Sequence, residues 1–315
     1  MVAQPASPDR DLAHPTLRSP GRTAAIGLAL LVTFLWSTSW VLIRFGLSEV
    51  PALTFAGLRY AIAAVCLLPF LFRKHSFQEV RALDRRQWSQ LILMGVMFYA
   101  VAQGTQYLGL VYLPLASASV LLNLTSLIVA GTGLILLSEA PSRLQWLGIF
   151  LNLAGIILFF YPPLFSGQHW LGIAIISVSM LANTGGTLLG RKINRSRTIS
   201  PIVVTTVSMG IGAVLLLGSG VAIQGMPKIS IASWGAILWM AVVNTSLAFT
   251  LWNYTQRTLL AMESSIINNT MTVQIAILGW IFSGEGLTVL EIFGILLATI
   301  GAVLVQLRPV KRANP

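Results

Sequence analysis

Apolar runs of about twenty residues recur along the chain, separated by short stretches carrying Arg, Lys, Ser, Gly and Pro. They fall near Ala24–Ile43, Leu53–Phe72, Gln90–Leu110, Leu115–Leu137, Leu144–Tyr161, Trp170–Leu189, Pro201–Ile223, Trp234–Trp252, Leu259–Phe282 and Leu287–Leu307. An α-helix rises about 1.5 Å per residue, so a run of this length matches the roughly 30 Å hydrocarbon thickness of a bilayer. Lipid offers backbone amides no partner, which leaves helices or a closed barrel as spanning structures. A barrel strand alternates apolar and polar positions, and these runs do not. The pattern therefore predicts an all-α membrane protein of ten transmembrane helices.

The polar punctuation carries the orientation. With a cytoplasmic amino terminus, the inside segments hold Arg10, Arg18, Arg22, Arg73, Lys74, Arg81, Arg85, Arg86, Arg143, Arg191, Lys192, Arg195, Arg197, Arg257, Arg308, Lys311 and Arg312, whereas the outside segments hold only Arg44 and Lys228. This is the positive-inside asymmetry with both termini in the cytoplasm. Residues 1–21 are polar and Pro-rich and precede a run long enough to span, so they read as a disordered cytoplasmic tail; residues 309–315 form a second tail.

Composition agrees. Hydrophobic residues make up 56% and charged residues 9% of the 315, with a mean hydropathy of +0.81; a soluble domain carries roughly 25% charge. The net charge of +11 is distributed as topology requires and implies no nucleic-acid partner. Cys66 is the only cysteine and can form no intramolecular disulfide.

The chain also aligns with itself. Residues 113–158 superimpose on 259–304 at a constant offset of 146, the separation of Leu113 and Leu259, with Ser119 matching Ser265, Asn123 Asn269, Gly133 Gly279, Glu139 Glu285, Gly148 Gly294 and Gly155 Gly301. Upstream the match weakens and the offset becomes 150, pairing Pro51 with Pro201. Two repeats follow, residues 22–162 and 163–308. Five spans each is an odd number, so the second repeat enters the membrane inverted, an arrangement typical of secondary transporters with a midplane site. The shared glycines read as close helix contacts.

The motif LWSTSW from Leu35 to Trp40, the run FAGLRYAIAA from Phe55 to Ala64, and the helix-closing Glu139 and Glu285, each followed by paired glycines, resemble the EamA type of the drug/metabolite transporter superfamily over the whole membrane domain. The resemblance implies ten helices, both termini inside, and a central substrate cavity usually used for efflux of metabolites. The family commonly has a proline about thirteen residues before each of those glutamates. Here Ser126 and Thr272 stand instead, so any bend there must come from milder hydroxyl back-bonding.

Candidate chemistry lies on a few helical faces. Ser119, Asn123 and Ser126, and their counterparts Ser265, Asn269 and Thr272, are spaced to share a face, with both asparagines near the midplane. Tyr99, Gln103, Gln106 and Tyr107 form a third polar stripe, and Trp36 and Trp40 lie one turn apart. Arg59 is a costly charge within a span and suits a substrate carboxylate or a structural role. Glu263 is the candidate for proton coupling, which makes protons a candidate partner; Glu139 and Glu285 read as helix-end or gate residues. His14, His75, His169, Asp9, Asp11 and Asp84 all lie outside the spans, which excludes buried His/Asp catalysis and a zinc cluster, and there is no GxxxxGK[ST] loop. No cofactor or metal is expected, and no enzyme activity.

These features point to a secondary transporter of the bacterial inner membrane, an exporter of small organic metabolites. Amides, hydroxyls and aromatics with a single Arg suit amino acids, aromatic ones among them, better than polyanions. Drugs or hydrophobic cations are the alternative substrates, and a membrane enzyme or scaffold the alternative class.

Overall fold

The computed structural model describes residues 20–136, 142–161, 167–196, 198–255, 258–259, 261–284 and 286–306. Among them every regular element is helical. The first repeat contains α1 (Arg22–Gly46), α2 (Ala52–Leu71), the short α3 (Lys74–Arg81), α4 (Arg85–Met94), a π-helical segment (Gly95–Val101), α5 (Ala102–Tyr112), α6 (Leu115–Leu136) and α7 (Arg143–Phe159). The second contains α8 (Gly167–Ser196), α9 (Pro201–Gln224), α10 (Ile231–Ala241), a second π segment (Val242–Leu247), α11 (Ala248–Thr255), α12 (Ala261–Ser283) and α13 (Val289–Gln306). Seven helical stretches are long and apolar enough to cross a membrane, and Leu115–Thr125, Arg143–Phe159 and Val289–Val305 are shorter apolar helices. The third expected span begins earlier than its apolar run, at Arg85, because Asp84 caps it.

Helix starts repeat with the chain. Asp84 accepts from Gln87 N at 2.7 Å and its own N–H donates to the Gln87 side chain at 3.0 Å; Ser142 with Gln145 and Thr288 with Glu291 form the same reciprocal arrangement. Ser230 accepts from Ser233 N at 3.2 Å. Each such cap satisfies donors that the first turn leaves open. Residues 84 and 230, and 142 and 288, are both related by the offset of 146, so the structural repeat reaches further upstream than sequence identity does. The two π segments obey it as well, since Val101 and Leu247 end them.

The two halves meet most closely along α7 and α13. A methyl group on Gly148 would lie 2.6 Å from Val305 N and 2.7 Å from the Gly301 carbonyl; one on Gly155 would lie 2.6 Å from the Gly294 carbonyl. Only glycine permits backbones this near. Gly148 faces Gly301, the repeat mate of Gly155, and Gly155 faces Gly294, the repeat mate of Gly148. Asn152 Nδ2 donates to the carbonyl of Ala298 at 2.7 Å, its own equivalent 146 positions on. The pseudo-twofold axis therefore passes beside Asn152 and Ala298. α2 and α9 make a second close pair, with Gly57 against Leu217 and Gly220 against Thr54.

Large apolar side chains face outward from these pairs. Val214, Ile223, Ile157 and Phe150 are all more than 60% exposed, as lipid contact demands and water would not tolerate in one continuous surface. Polar contacts tie the halves at the helix ends. The Glu79 carboxylate accepts from the N–H of Ser200 and from its Oγ at 2.6 Å, and the Glu49 carboxylate accepts from Ser230 Oγ and Ser233 Oγ, both at 2.7 Å.

Candidate functional site

The second π segment builds a polar centre. Its sequence, VVNTSL, interrupts an apolar span with three consecutive hydrogen-bonding residues, and Asn244, Thr245 and Ser246 are all buried. Thr245 Oγ1 donates to the carbonyl of Met240 at 2.8 Å and Ser246 Oγ to that of Ala241 at 3.0 Å. Both bonds reach back five residues, the spacing of the widened π turn, so the hydroxyls help satisfy the carbonyls along it. Ser246 Oγ also lies 3.1 Å from the carbonyl of Ala63 on α2. π turns within α-helices are uncommon and concentrate at functional sites.

Asn244 joins this segment to α1. Its amide nitrogen donates to the Leu35 carbonyl, to Thr38 Oγ1 at 3.0 Å and to Ser39 Oγ at 2.8 Å. Arg59, only 4% exposed, completes the network from α2. Its Nε donates to Thr245 Oγ1 at 2.8 Å, Nη1 to Tyr107 Oη at 3.0 Å, and Nη2 to Ser39 Oγ and the Asn244 carbonyl at 3.4 Å each. Four helical rods from both repeats thus converge on one guanidinium. The first π segment contributes Tyr99, equivalent to Thr245 by the repeat. Its ring lies 5.9 Å from that of Tyr60 and 6.0 Å from that of Phe249. Trp36 stands against Phe249 at 5.1 Å and Trp252 at 5.2 Å, forming an aromatic cluster beside the network.

A second polar contact joins the halves between α6 and α12. Asn123 Nδ2 donates to Thr272 Oγ1 at 2.9 Å, and both residues are buried. Asn269, the repeat mate of Asn123, is 3% exposed and its Nδ2 has no hydrogen-bond partner. Ser37 Oγ lies 2.9 Å from Gln274 Oε1, linking α1 to α12.

The sequence-derived candidates are thus divided among several surroundings. Arg59, Tyr107 and Tyr99 belong to the polar centre and its aromatic flank, with Trp36. Gln106 is buried on the same helix, and Gln103 is half-buried. Trp40 packs into the main apolar cluster. Ser119 Oγ donates at 2.8 Å to the carbonyl of Ala116 in its own helix. Glu139 and Glu285 lie outside the described residues, as do the side chains of Ser126, Glu263 and Ser265. Among the described residues no group of His, Cys, Asp or Glu side chains is arranged to hold a metal ion. Asn244, Thr245 and Ser39 were not singled out from sequence, although three adjacent polar residues within an apolar span were a legible signal.

The chain is similar to known membrane proteins over nearly its whole length. A model of the EamA-like transporter family matches residues 23–161 and again 170–307. The uncharacterized inner membrane transporter YedA of Escherichia coli is 24% identical over 302 residues, covering 90% of this chain and 93% of its own. The uncharacterized transporter YoaV of Bacillus subtilis is 22% identical over 275 residues, covering 86% and 92%. A solved crystal structure shares the fold with a TM-score of 0.65 at 16% identity, covering 90% of this chain and 98% of the other. With its apolar helices, the protein is a multi-pass inner-membrane transporter. The two family matches, one on each repeat, show that the chain belongs to the EamA-like transporter family.

Proposed function

We propose that the protein is a secondary transporter that exports small organic metabolites, amino acids first among them, by alternating access between two inverted five-helix repeats. In this reading ten helices cross the membrane, the three shorter apolar helices included, and both termini are cytoplasmic. The observation that carries it is the convergence of Arg59, Tyr107 and Ser39 of the first repeat with Asn244 and Thr245 of the second on one buried polar centre. Buried polar groups within spans are costly, and in transporters they mark the substrate path. Neutral hydroxyls and amides around one guanidinium suit a weakly polar or zwitterionic solute, since a phosphate would want several cationic partners.

The Asn123–Thr272 contact joins the repeats at a second point. We assign it, with Asn269, to the wall along which the halves move. The decisive measurement is flux of a mixed panel of labelled amino acids and dyes into proteoliposomes holding the purified chain. Saturable uptake above empty vesicles is expected for at least one panel member; uptake equal to empty vesicles for all of them would leave a scaffold.

A further inference from the structure

A guanidinium buried in a membrane domain is expensive unless a negative charge accompanies it. Among the described residues Arg59 has no such companion within hydrogen-bond reach. Its hydrogen-bond acceptors are two side-chain hydroxyls, a phenol and a backbone carbonyl, all neutral, and its flanking ring is that of Tyr60 at 5.5 Å. For packing alone a neutral side chain would make equivalent bonds without the charge. The bonding is also uneven. Nε and Nη1 are held at 2.8 and 3.0 Å, but both contacts of Nη2 are long, at 3.4 Å. A guanidinium has five N–H donors, so the Nη1–Nη2 edge keeps one donor uncommitted and two weakly engaged.

One further group in the same network is unsatisfied, and another stands in the aromatic cluster beside it. Asn244 is fully buried, and its Oδ1 accepts from nothing, although its nitrogen reaches three acceptors. Trp36 Nε1 is likewise buried without an acceptor, next in the chain to Leu35, whose carbonyl Asn244 holds. An unpaired buried acceptor costs roughly 1–3 kcal/mol. An unpaired acceptor and a cation with neutral partners in one polar centre, flanked by the aromatic pair Trp36 and Phe249 with the unpaired Trp36 donor, together describe the complement of a single molecule.

We infer that Arg59 and Asn244 form the recognition site for a zwitterion: its carboxylate is held on the Nη1–Nη2 edge of Arg59, and its cationic nitrogen donates to Asn244 Oδ1. This rests on the transporter reading above and names the chemistry of that site. The Ser39 hydroxyl, 2.8 Å from the Asn244 nitrogen and 3.4 Å from Nη2, bridges the two recognition points. An apolar side chain of the ligand lies against Trp36. Carboxylate binding supplies the missing counter-charge, so affinity depends far more on the carboxylate than on the side chain.

The test uses the purified full chain in proteoliposomes and the twenty amino acids, each competed by its decarboxylated amine and its deaminated acid. Uptake of at least one amino acid is expected, with its amine at least tenfold weaker as a competitor. Arg59→Lys keeps the charge but loses the fork and should weaken competition at least tenfold; Arg59→Gln should abolish it. Because the comparison of analogues on the unaltered protein needs no variant, a failure of Arg59→Gln to fold does not remove the test. Amines that compete as well as their parent amino acids, or amino-acid uptake by Arg59→Gln at the unaltered rate, would overturn the assignment. Dye or amine flux without competition by any carboxylate would overturn it while leaving the transporter reading intact. No flux of any solute would remove both.

Discussion

An amide has two donors and two acceptor lone pairs, and Asn244 spends its nitrogen on three oxygens of α1 while its own oxygen stays unpaired. Asn123 and Asn269 are buried at a second contact between the halves, where Asn123 Nδ2 donates to Thr272 Oγ1 at 2.9 Å. Replacing Asn123 by Leu leaves Thr272 without its donor and places bulk where α6 meets α12. We expect Asn123→Leu, and likewise Asn269→Leu, to reduce flux tenfold or more, while Asn314→Leu leaves it unchanged; proteoliposome uptake decides. Normal flux in both variants would assign the pair to packing. Outside the spans a different residue responds to pH. Ser233 first, then Ser230, donate hydroxyl bonds that hold the Glu49 carboxyl below its ordinary value of 4.5. A lowered folded-state value means that the contribution to stability is fully present above 4.5 and is lost as the pH falls through the folded value. Acidification through that window should therefore lower the melting temperature of the unaltered chain more than that of Glu49→Gln. Because Glu49 is exposed, the difference is small, and equal acid sensitivity of the two would show that Glu49 contributes nothing.

At the scale of elements, α7 and α13 meet along a glycine seam. The α7–α13 pair has no room for a Cβ at Gly148, Gly155, Gly294 or Gly301, where the nearest atoms are backbone and cannot swing aside. Gly155→Val or Gly301→Val should therefore cost at least about 1–3 kcal/mol, the usual range for overpacking. Gly235→Ala meets nothing within 4 Å and should be neutral or stabilising. Melting curves in detergent compare them, and an unchanged midpoint for Gly155→Val would refute the seam. Much of this was legible in the chain: apolar runs gave the helices, and Gly148, Gly155, Gly294 and Gly301 announced their contact by recurring at one offset. The π geometry was not legible, because a single widened turn shifts register by less than one residue per turn, although Asn244, Thr245 and Ser246 did mark the place of the second segment. Nor was the partner of Arg59, since Ser39, Tyr107 and Thr245 come from three helices remote in sequence, and only packing brings them together. α3 escaped because its eight residues hold only Phe77 and Val80 as apolar positions and carry no apolar run.

At the scale of the whole molecule, the proposed inversion fixes where each loop lies. After Cys66→Ser, single cysteines at Ser166 and Lys228 should react with an impermeant thiol reagent in intact cells, and one at Ser196 should not. Labelling of the Ser196 variant would reverse the orientation and with it the direction of export. The energy source is the remaining whole-molecule property. A symmetric pair of repeats can rock without a driving force, and then it only equilibrates its solute. Accumulation requires a second species whose binding differs between the two orientations. Two acidic residues, Glu263 and Glu291, fall within expected spans near their starts; Glu291 is engaged in capping α13 with Thr288, whereas Glu263 belongs to the helix that also carries Asn269 and Thr272. We propose that it takes up a proton in one orientation and releases it in the other. Glu263→Gln preserves shape and removes the titration, so it should abolish accumulation driven by an imposed pH difference while sparing downhill exchange. The measurement is uptake of the transported solute in proteoliposomes with and without that difference. An unaltered protein indifferent to the imposed gradient would make Glu263 a helix-start residue, stabilised by the dipole of its first turn, and the transporter a facilitator.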